Sequence, residues 1–506
     1  MANEQDYDLL VVGGGINGVG IARDAAGRGL RVLLCEKDDL AGHTSSASTK
    51  LIHGGLRYLE YYEFGLVRKA LKEREVLLRS APHIIRPLRF VMPHVPHLRP
   101  AWMIRIGLFL YDHLSRRELL PGSCGVNLDK HELGTPLQDS MHRGFVYSDA
   151  WVDDARLVVL TAIDAQERGA CIMTRTELLS AQREAGLWQA TLVKDGQTEI
   201  KVTVRAIVNA AGPWASELLH RHVHQSARNE VRLVKGSHIV VNRMFDHEHA
   251  YIFQHPDKRI VFAIPYEQKF TLIGTTDLEY KGDPGSVNIS SDEVSYLCDA
   301  ANRYFKKSIQ AADVLWTYSG VRPLLEQEDA SNPSAVTRDY QLELDAAQGQ
   351  APILSVFGGK ITTFRYLAEE AVNLLAPALG ITKPAWTAHA SLPGGDIPNA
   401  DFSGFFQRFQ AQYPWLPATL AQRYARSYGT RAERILRECH ALSDLGEQLS
   451  PDLYEAEVRY LAEHEWARTT DDVLWRRSKL GLHATPAAVQ VLQRKLTQFL
   501  AESNQR

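Results

Sequence analysis

Gly13-Gly14-Gly15-Ile16-Asn17-Gly18 has the spacing G-x-G-x-x-G. That spacing seats a dinucleotide. The first glycine makes a tight turn, the second lets a pyrophosphate approach the backbone, and the third lets the next helix pack on the strand. Free N–H groups at the helix N-terminus then face the phosphates. Glu36 follows Gly18 by 18 residues at the end of a second apolar run. It is placed to accept ribose hydroxyls, and its charge disfavours a 2′-phosphate. Farther on, Ala206–Ala210 runs into Ala211-Gly212-Pro213, a second close backbone approach. With the motif at the start of the chain, this favours FAD over NAD.

These residues need a particular frame. Asp8–Val12 reads as a buried strand, Ile16–Arg28 as an Ala-rich helix and Arg31–Glu36 as a second strand. This βαβ unit over 8–36 implies a doubly wound α/β sheet. Small residues fill Thr44–Lys50, and Leu66–Ser80 is an amphipathic helix. From Gly144 to Glu326 short β-branched runs alternate with turns, which predicts a mixed or antiparallel sheet. Leu354–Phe357 is another buried strand, followed by two glycines and a helix from Thr362. Composition shifts to Pro and Gly at Leu392–Pro398. Beyond it, Ala418–Tyr428, Arg431–Cys439, Pro451–His464 and Thr485–Glu502 read as helices.

Composition excludes several classes. The 506-residue chain has a net charge of −3, so no basic field exists to hold nucleic acid. The five cysteines lie far apart without metal-ligand spacing, so neither a metal site nor a disulfide framework is expected. The start of the chain lacks a signal-peptide pattern, and no apolar run is long enough to span a bilayer.

Val12–Gly29 resembles the first signature of FAD-dependent glycerol-3-phosphate dehydrogenases, and Gly358–Arg365 (GGKITTFR) resembles the second. That second signature usually has Tyr where this chain has Phe364, which keeps the ring and removes a hydroxyl. The likeness extends through most of the chain and is greatest for the single-subunit aerobic bacterial enzymes. It implies a glutathione-reductase-like FAD-binding Rossmann domain, an antiparallel-sheet substrate cap and a C-terminal α-helical domain. The expected bounds are 1–390, with the cap mainly within 215–335, and 391–506. The implied reaction moves a hydride from C2 of glycerol 3-phosphate to FAD, giving dihydroxyacetone phosphate, and passes the electrons to ubiquinone. The implied location is peripheral, on the cytoplasmic face of the bacterial inner membrane. A homodimer is compatible with the C-terminal domain.

The resemblance carries Ser45, Ser46, Gly359, Lys360 and Thr362 over as further cofactor contacts beside Gly13, Gly14, Gly15, Asn17, Gly18, Glu36, Ala211 and Gly212. A phosphate substrate needs cationic donors, for which arginine offers a planar fork and lysine a point charge. The candidates are Arg57, Arg322, Arg338 and Lys360, with Tyr58 as a neutral donor. Removing the hydroxyl proton calls for a base, and His53 and His238 titrate near working pH. His53, beside Gly54-Gly55, ranks first. Arg322 is assigned to the developing ketone oxygen. A quinone reductase must touch the bilayer, and Trp102–Leu114, flanked or interrupted by Arg99, Arg105, Arg116 and Arg117, suits an interfacial helix. A buried core helix is the competing reading. Competing functions are an oxygen-using glycerophosphate oxidase, an amine oxidase on the same fold, and a flavin-bound scaffold without chemistry. Trp466, Trp475, Arg476 and Arg477 are a candidate partner surface.

Overall fold

A sheet buried on both faces carries the glycine motif. In the computed structural model, which describes residues 5–504 apart from 96–99, 226–230, 256, 258, 326–338 and 348, its strands run in the order Gln341–Asp345, Ile353–Phe357, Thr198–Asn209, Gln5–Val12, Val32–Cys35 and Cys171–Met173. The first pair is antiparallel and the rest are parallel. Leu9 and Val11 face one core with helices Ile16–Gly27, Asp154–Glu167 and Phe364–Leu379. Leu10 and Val12 face the other, covered by Leu178, Trp188 and Leu192 from an antiparallel meander and by Ala215 and Leu218. Apolar side chains on both faces make Leu9–Val12 a continuous hydrophobic run rather than an alternating one.

The second sheet has ten strands. Its pairs are antiparallel except Ala250–Gln254 against Ile85–Pro93. Here the structure corrects the expected division. Strands Leu51–Ile52, Ile85–Pro93, Cys124–Asn127 and Arg143–Val152 join this sheet, although they precede 215. Strands between 171 and 209 belong instead to the first sheet. Strand character is local, whereas the choice of sheet is a long-range pairing.

The C-terminal region packs helices Phe402–Gln412, Ala418–Tyr428, Glu455–His464 and Pro486–Asn504 around its own core of Leu420, Tyr424, Tyr428 and Leu461. Two of its expected helices are shorter than predicted. Residues 429–436 form a tight turn followed by Glu433–Leu436, and a small strand pair, Gln448–Ser450 with Leu453–Tyr454, precedes Glu455.

Buried ion pairs lock this region to the first sheet. Arg156 pairs with Glu465, and both side chains are fully buried. Arg477 forks onto Asp39 at 2.7 and 2.8 Å. Trp475 stacks on Trp316 at 4.3 Å, and Trp466 packs against the first-sheet core. The four residues read as a partner surface are therefore spent within the chain, because these side chains find their partners across the interdomain contact.

Candidate active site

The two sheets meet at a cavity of about 520 Å³. At one end lies the turn of the glycine motif. Gly13 has φ of +115°, and a Cβ there would stand 2.5 Å from the carbonyl oxygen of Ala210. A Cβ on Gly18 would strike the Gly13 carbonyl. These two positions admit only glycine, because the helix start and the strand end at Ala210 close on the same turn. Ser45 Oγ accepts from the Ile16 N–H at 2.9 Å, which fixes the small-residue segment against the helix N-terminus. Glu36 accepts from Gly14 N–H at 2.6 Å and from Asp38 N–H at 2.8 Å. Burial pushes its carboxyl pKa up, and those two N–H groups oppose the rise. Asn17 Nδ2 donates to the Gly358 carbonyl at 3.2 Å, while its buried Oδ1 is without a hydrogen-bond partner.

Gly13, Gly15, Asn17, Glu36, Ser45, Ala211, Gly212, Gly359, Lys360 and Thr362 all line this cavity. Gly14 and Gly18 lie just behind the lining. Ser46 also stands outside it, donating to the His43 carbonyl at 3.3 Å. Trp214, Lys37 and His43, which the sequence reading passed over, stand at the Glu36 end. Lys37 Nζ is 3.7 Å from the Trp214 ring centroid, and His43 meets the same ring edge-on at 4.7 Å. The available signal was adjacency: Lys37 follows Glu36, and Trp214 follows Ala211-Gly212-Pro213.

At the other end His53, Tyr58, Arg322 and Lys360 share the cavity wall. Arg322 donates to Asp277 at 2.9 Å and to Thr275 Oγ1 at 3.0 Å. Gly236, on the paired strand, leaves the space its guanidinium occupies. Lys360 Nζ sits 3.9 Å from the Tyr58 ring centroid. The His53 N–H donates to Thr362 Oγ1 at 3.2 Å, tying the two cavity-lining segments together. The Gly54 N–H donates to Tyr111 Oη at 2.8 Å, and Tyr111 in turn reaches Asp149, which Arg74 pairs at 2.6 Å.

Other sequence candidates fall elsewhere. His238 is 1% exposed, stacks on Tyr318 at 4.7 Å and meets Thr49 Oγ1 at 3.0 Å. It stands one layer behind the wall, whose lining residue is Thr49. Burial and then the charges of Arg322 and Lys50 hold its pKa well below the ordinary histidine range, so its ring stays neutral at neutral pH. Arg57 is outside the lining and reaches Tyr61 Oη at 3.4 Å. Arg338 and Arg99 lie outside the described residues.

Helix Ala101–His113 corrects the buried-core reading. Only Leu108 and Tyr111 are buried. Trp102, Met103, Ile106, Phe109 and Leu110 are exposed, as are the neighbouring-segment residues Tyr61, Tyr62 and Phe64. Among the described residues no helix is long and apolar enough to cross a membrane.

Such a cavity, with a dinucleotide turn at one end and a histidine and cations at the other, defines a flavin-type oxidoreductase site. Comparison with known proteins agrees. The family model described as FAD dependent oxidoreductase matches residues 8–365, and that of the C-terminal domain of alpha-glycerophosphate oxidase matches 385–504. A glycerol-3-phosphate dehydrogenase of Pseudomonas aeruginosa is 55% identical over 98% of this chain and 95% of its own. A D-erythritol 1-phosphate dehydrogenase of Brucella abortus is 52% identical over 96% of this chain and 97% of its own. The structure of a Bacillus halodurans glycerol-3-phosphate dehydrogenase complexed with FAD superposes with a TM-score of 0.79 at 27% identity, covering 99% of this chain and 91% of that one. The chain belongs to the FAD-dependent oxidoreductases, in the branch of the glycerol-3-phosphate dehydrogenases. The site suits FAD on its own terms: the glycine turn cannot carry side chains, and Asn17 Oδ1 is a buried acceptor beside the cavity still lacking a donor.

Proposed function

We propose that the protein oxidises sn-glycerol 3-phosphate at C2 to dihydroxyacetone phosphate and delivers the electrons to a membrane quinone. The supporting observation is the convergence of Arg322, Lys360 and His53 on the cavity that also holds the dinucleotide turn. FAD, when bound, supplies the acceptor for the C2 hydride. Lys360 holds the substrate phosphate as a point charge, and Tyr58 steadies the ammonium through its ring face. His53 takes the C2 hydroxyl proton as the C2–H bond breaks and the carbonyl forms. Arg322, held by Asp277 and Thr275, steadies the oxygen while it carries developing negative charge. His238 supports Thr49 from behind rather than acting as the base. The names of the relatives, a glycerol-3-phosphate and a D-erythritol 1-phosphate dehydrogenase, favour a phosphate rather than a carboxylate as the anionic group that Lys360 holds.

Electron delivery to quinone is supported by the helix Ala101–His113. It exposes an apolar face, Arg105 stands among those residues, and Arg116 is 88% exposed just beyond. A helix of this kind lies in the headgroup layer without spanning it. Its Tyr111 bonds Gly54, next to His53, so the membrane-facing helix and the substrate end share one support. The protein is then peripheral to the cytoplasmic face of the inner membrane.

The test is anaerobic. Glycerol 3-phosphate should bleach the flavin bands of the purified holoenzyme, and a soluble quinone should restore them. D-Erythritol 1-phosphate and an amino acid are run beside it. Faster bleaching by the four-carbon phosphate would reassign the substrate, and bleaching only by the amino acid would overturn the phosphate reading. Rapid reoxidation by oxygen with no response to quinone would make the protein an oxidase.

A further inference from the structure

Asp39 belongs to the segment that follows the second strand. Its neighbours Glu36, Lys37, Ala41, Gly42 and His43 line the dinucleotide end of the cavity. The Asp39 carboxylate does not; it is turned to the C-terminal domain and is 2% exposed. Arg477, with a fully buried side chain, grips both its oxygens, at 2.7 and 2.8 Å. Arg476 Nε adds a bond at 2.5 Å, and Arg175 one at 3.3 Å. Arg477 is itself held by the Glu465 carbonyl, through Nε at 3.0 Å and Nη2 at 2.6 Å. Asp472, 0% exposed, joins Arg175 and Arg476 from the other side. Three arginines on one buried carboxylate are more than an ordinary surface pair supplies.

This grip reaches the cofactor turn in one step. Gly42 N–H bonds the Asp39 carbonyl at 2.9 Å, and Ala41 N–H bonds the Gly14 carbonyl at 3.2 Å. Glu36 holds the Gly14 N–H from the other end of the segment. Leu40 lies so close over Gly14 that a Cβ there would stand 2.9 Å from its Cδ2. The segment therefore fixes Gly14 at two atoms, and the C-terminal domain fixes the segment.

We propose that docking of the C-terminal domain and retention of FAD form one coupled equilibrium, transmitted through the Arg477–Asp39 fork. Arg477 is a positioning residue, acting through Asp39 on the Glu36–His43 segment. Linkage makes the effect reciprocal: FAD must favour docking by the factor by which docking favours FAD.

The experiment uses the full-length holoenzyme and two variants. Arg477→Lys keeps the charge and loses the fork. Glu167→Gln weakens the pairing with Arg431 and Arg434, part of the same interdomain contact but away from the cofactor segment. FAD release is followed by flavin fluorescence after dilution, and amide exchange in residues 465–480 is measured with and without FAD. Arg477→Lys should release FAD at least tenfold faster and lose the FAD-dependent slowing of exchange, while Glu167→Gln changes release no more than twofold. Unchanged release in Arg477→Lys, equal acceleration in both variants, or exchange indifferent to FAD in the unmodified protein would each overturn the proposal. Should Arg477→Lys fail to fold, Arg476→Lys takes its place. Release at least threefold faster supports the coupling, and a smaller change refutes it.

Discussion

Gly236→Ala isolates the geometry of Arg322 without touching its charge. Gly236 sits on a buried strand with an ordinary negative φ, so alanine costs the backbone nothing. A Cβ there collides with Arg322 Nη2 and would stand 2.8 Å from Cζ and 2.7 Å from Thr275 Oγ1. Carbon atoms need about 3.5 Å, so the guanidinium must withdraw by roughly 0.7 Å or more. That movement breaks or lengthens its bonds to Asp277 and Thr275, the two contacts that aim it. Misplacing a catalytic group by about 1 Å costs roughly a hundredfold in rate, or about 2.7 kcal/mol. The assay is kcat/KM for glycerol 3-phosphate with a soluble quinone, alongside flavin content and Tm. The expected variant keeps its flavin and its Tm and loses about a hundredfold in kcat/KM. Arg322→Ala should lose several orders of magnitude, and the double variant should be no worse than Arg322→Ala, because the glycine acts only through the arginine. A kcat/KM within about threefold of the unmodified protein, or an additive double variant, would refute the assignment of Arg322 to the reacting oxygen.

Three further outcomes follow from other parts of the structure. Lys360→Ala should raise KM for glycerol 3-phosphate far more than for glycerol, and equal losses on both would remove the lysine from the phosphate. Replacing Trp102, Ile106 and Phe109 by serine should weaken binding to anionic vesicles by at least about a hundredfold, since each large apolar side chain contributes roughly 1.5 kcal/mol or more when buried; activity with soluble quinone should persist, and unchanged vesicle sedimentation would discard this helix as the contact. Finally, burial pushes the Asp472 carboxyl up, but the charges of Arg175, Arg477 and Arg476 and the Arg468 N–H outweigh it and hold its pKa below the unfolded 3.8. Its contribution to docking is then complete above that value and disappears as pH falls through the folded value. The fluorescence of the Trp316–Trp475 stack, followed from pH 6 downward, should change only below about pH 4, and Asp472→Asn should abolish that acid step.

The glycine motif is useful beyond cofactor binding because its segment is shared. The Gly14 N–H bonds the Glu36 carboxylate at the dinucleotide end, and the His53 N–H bonds the Thr362 hydroxyl at the substrate end, so at each end a main-chain N–H is held by a side chain that lines the same cavity. A site whose main chain is tied to its lining side chains in this way is preorganised, which keeps reorganisation small during charge development.

Much of this was legible in the chain. The glycine turn, the strand before it, the helix after it and Glu36 are set by local rules: a positive φ at Gly13, an apolar run, a cap position and a fixed spacing. Lys360 and Arg322 stand in short stretches of glycine and proline that mark a loop or strand end near a cavity. Other features depended on contacts between distant residues. His53 and His238 look alike in sequence, yet one lines the cavity and the other is sealed behind Thr49, because His53 follows the end of a short strand while His238 lies within a long buried one of the same sheet. Strands between residues 51 and 152 joined the second sheet and those from 171 to 209 the first, by pairing energies that no local pattern carries. Arg476 and Arg477 read as surface charge until the fold brought Asp39 to them across more than 430 residues. Local sequence determined which elements form and which turn can take a dinucleotide, since those depend on dihedral preference and periodicity. The tertiary structure decided which histidine, which arginines and which apolar helix are placed to act, since burial and charge pairing are properties of neighbours the chain supplies only when folded.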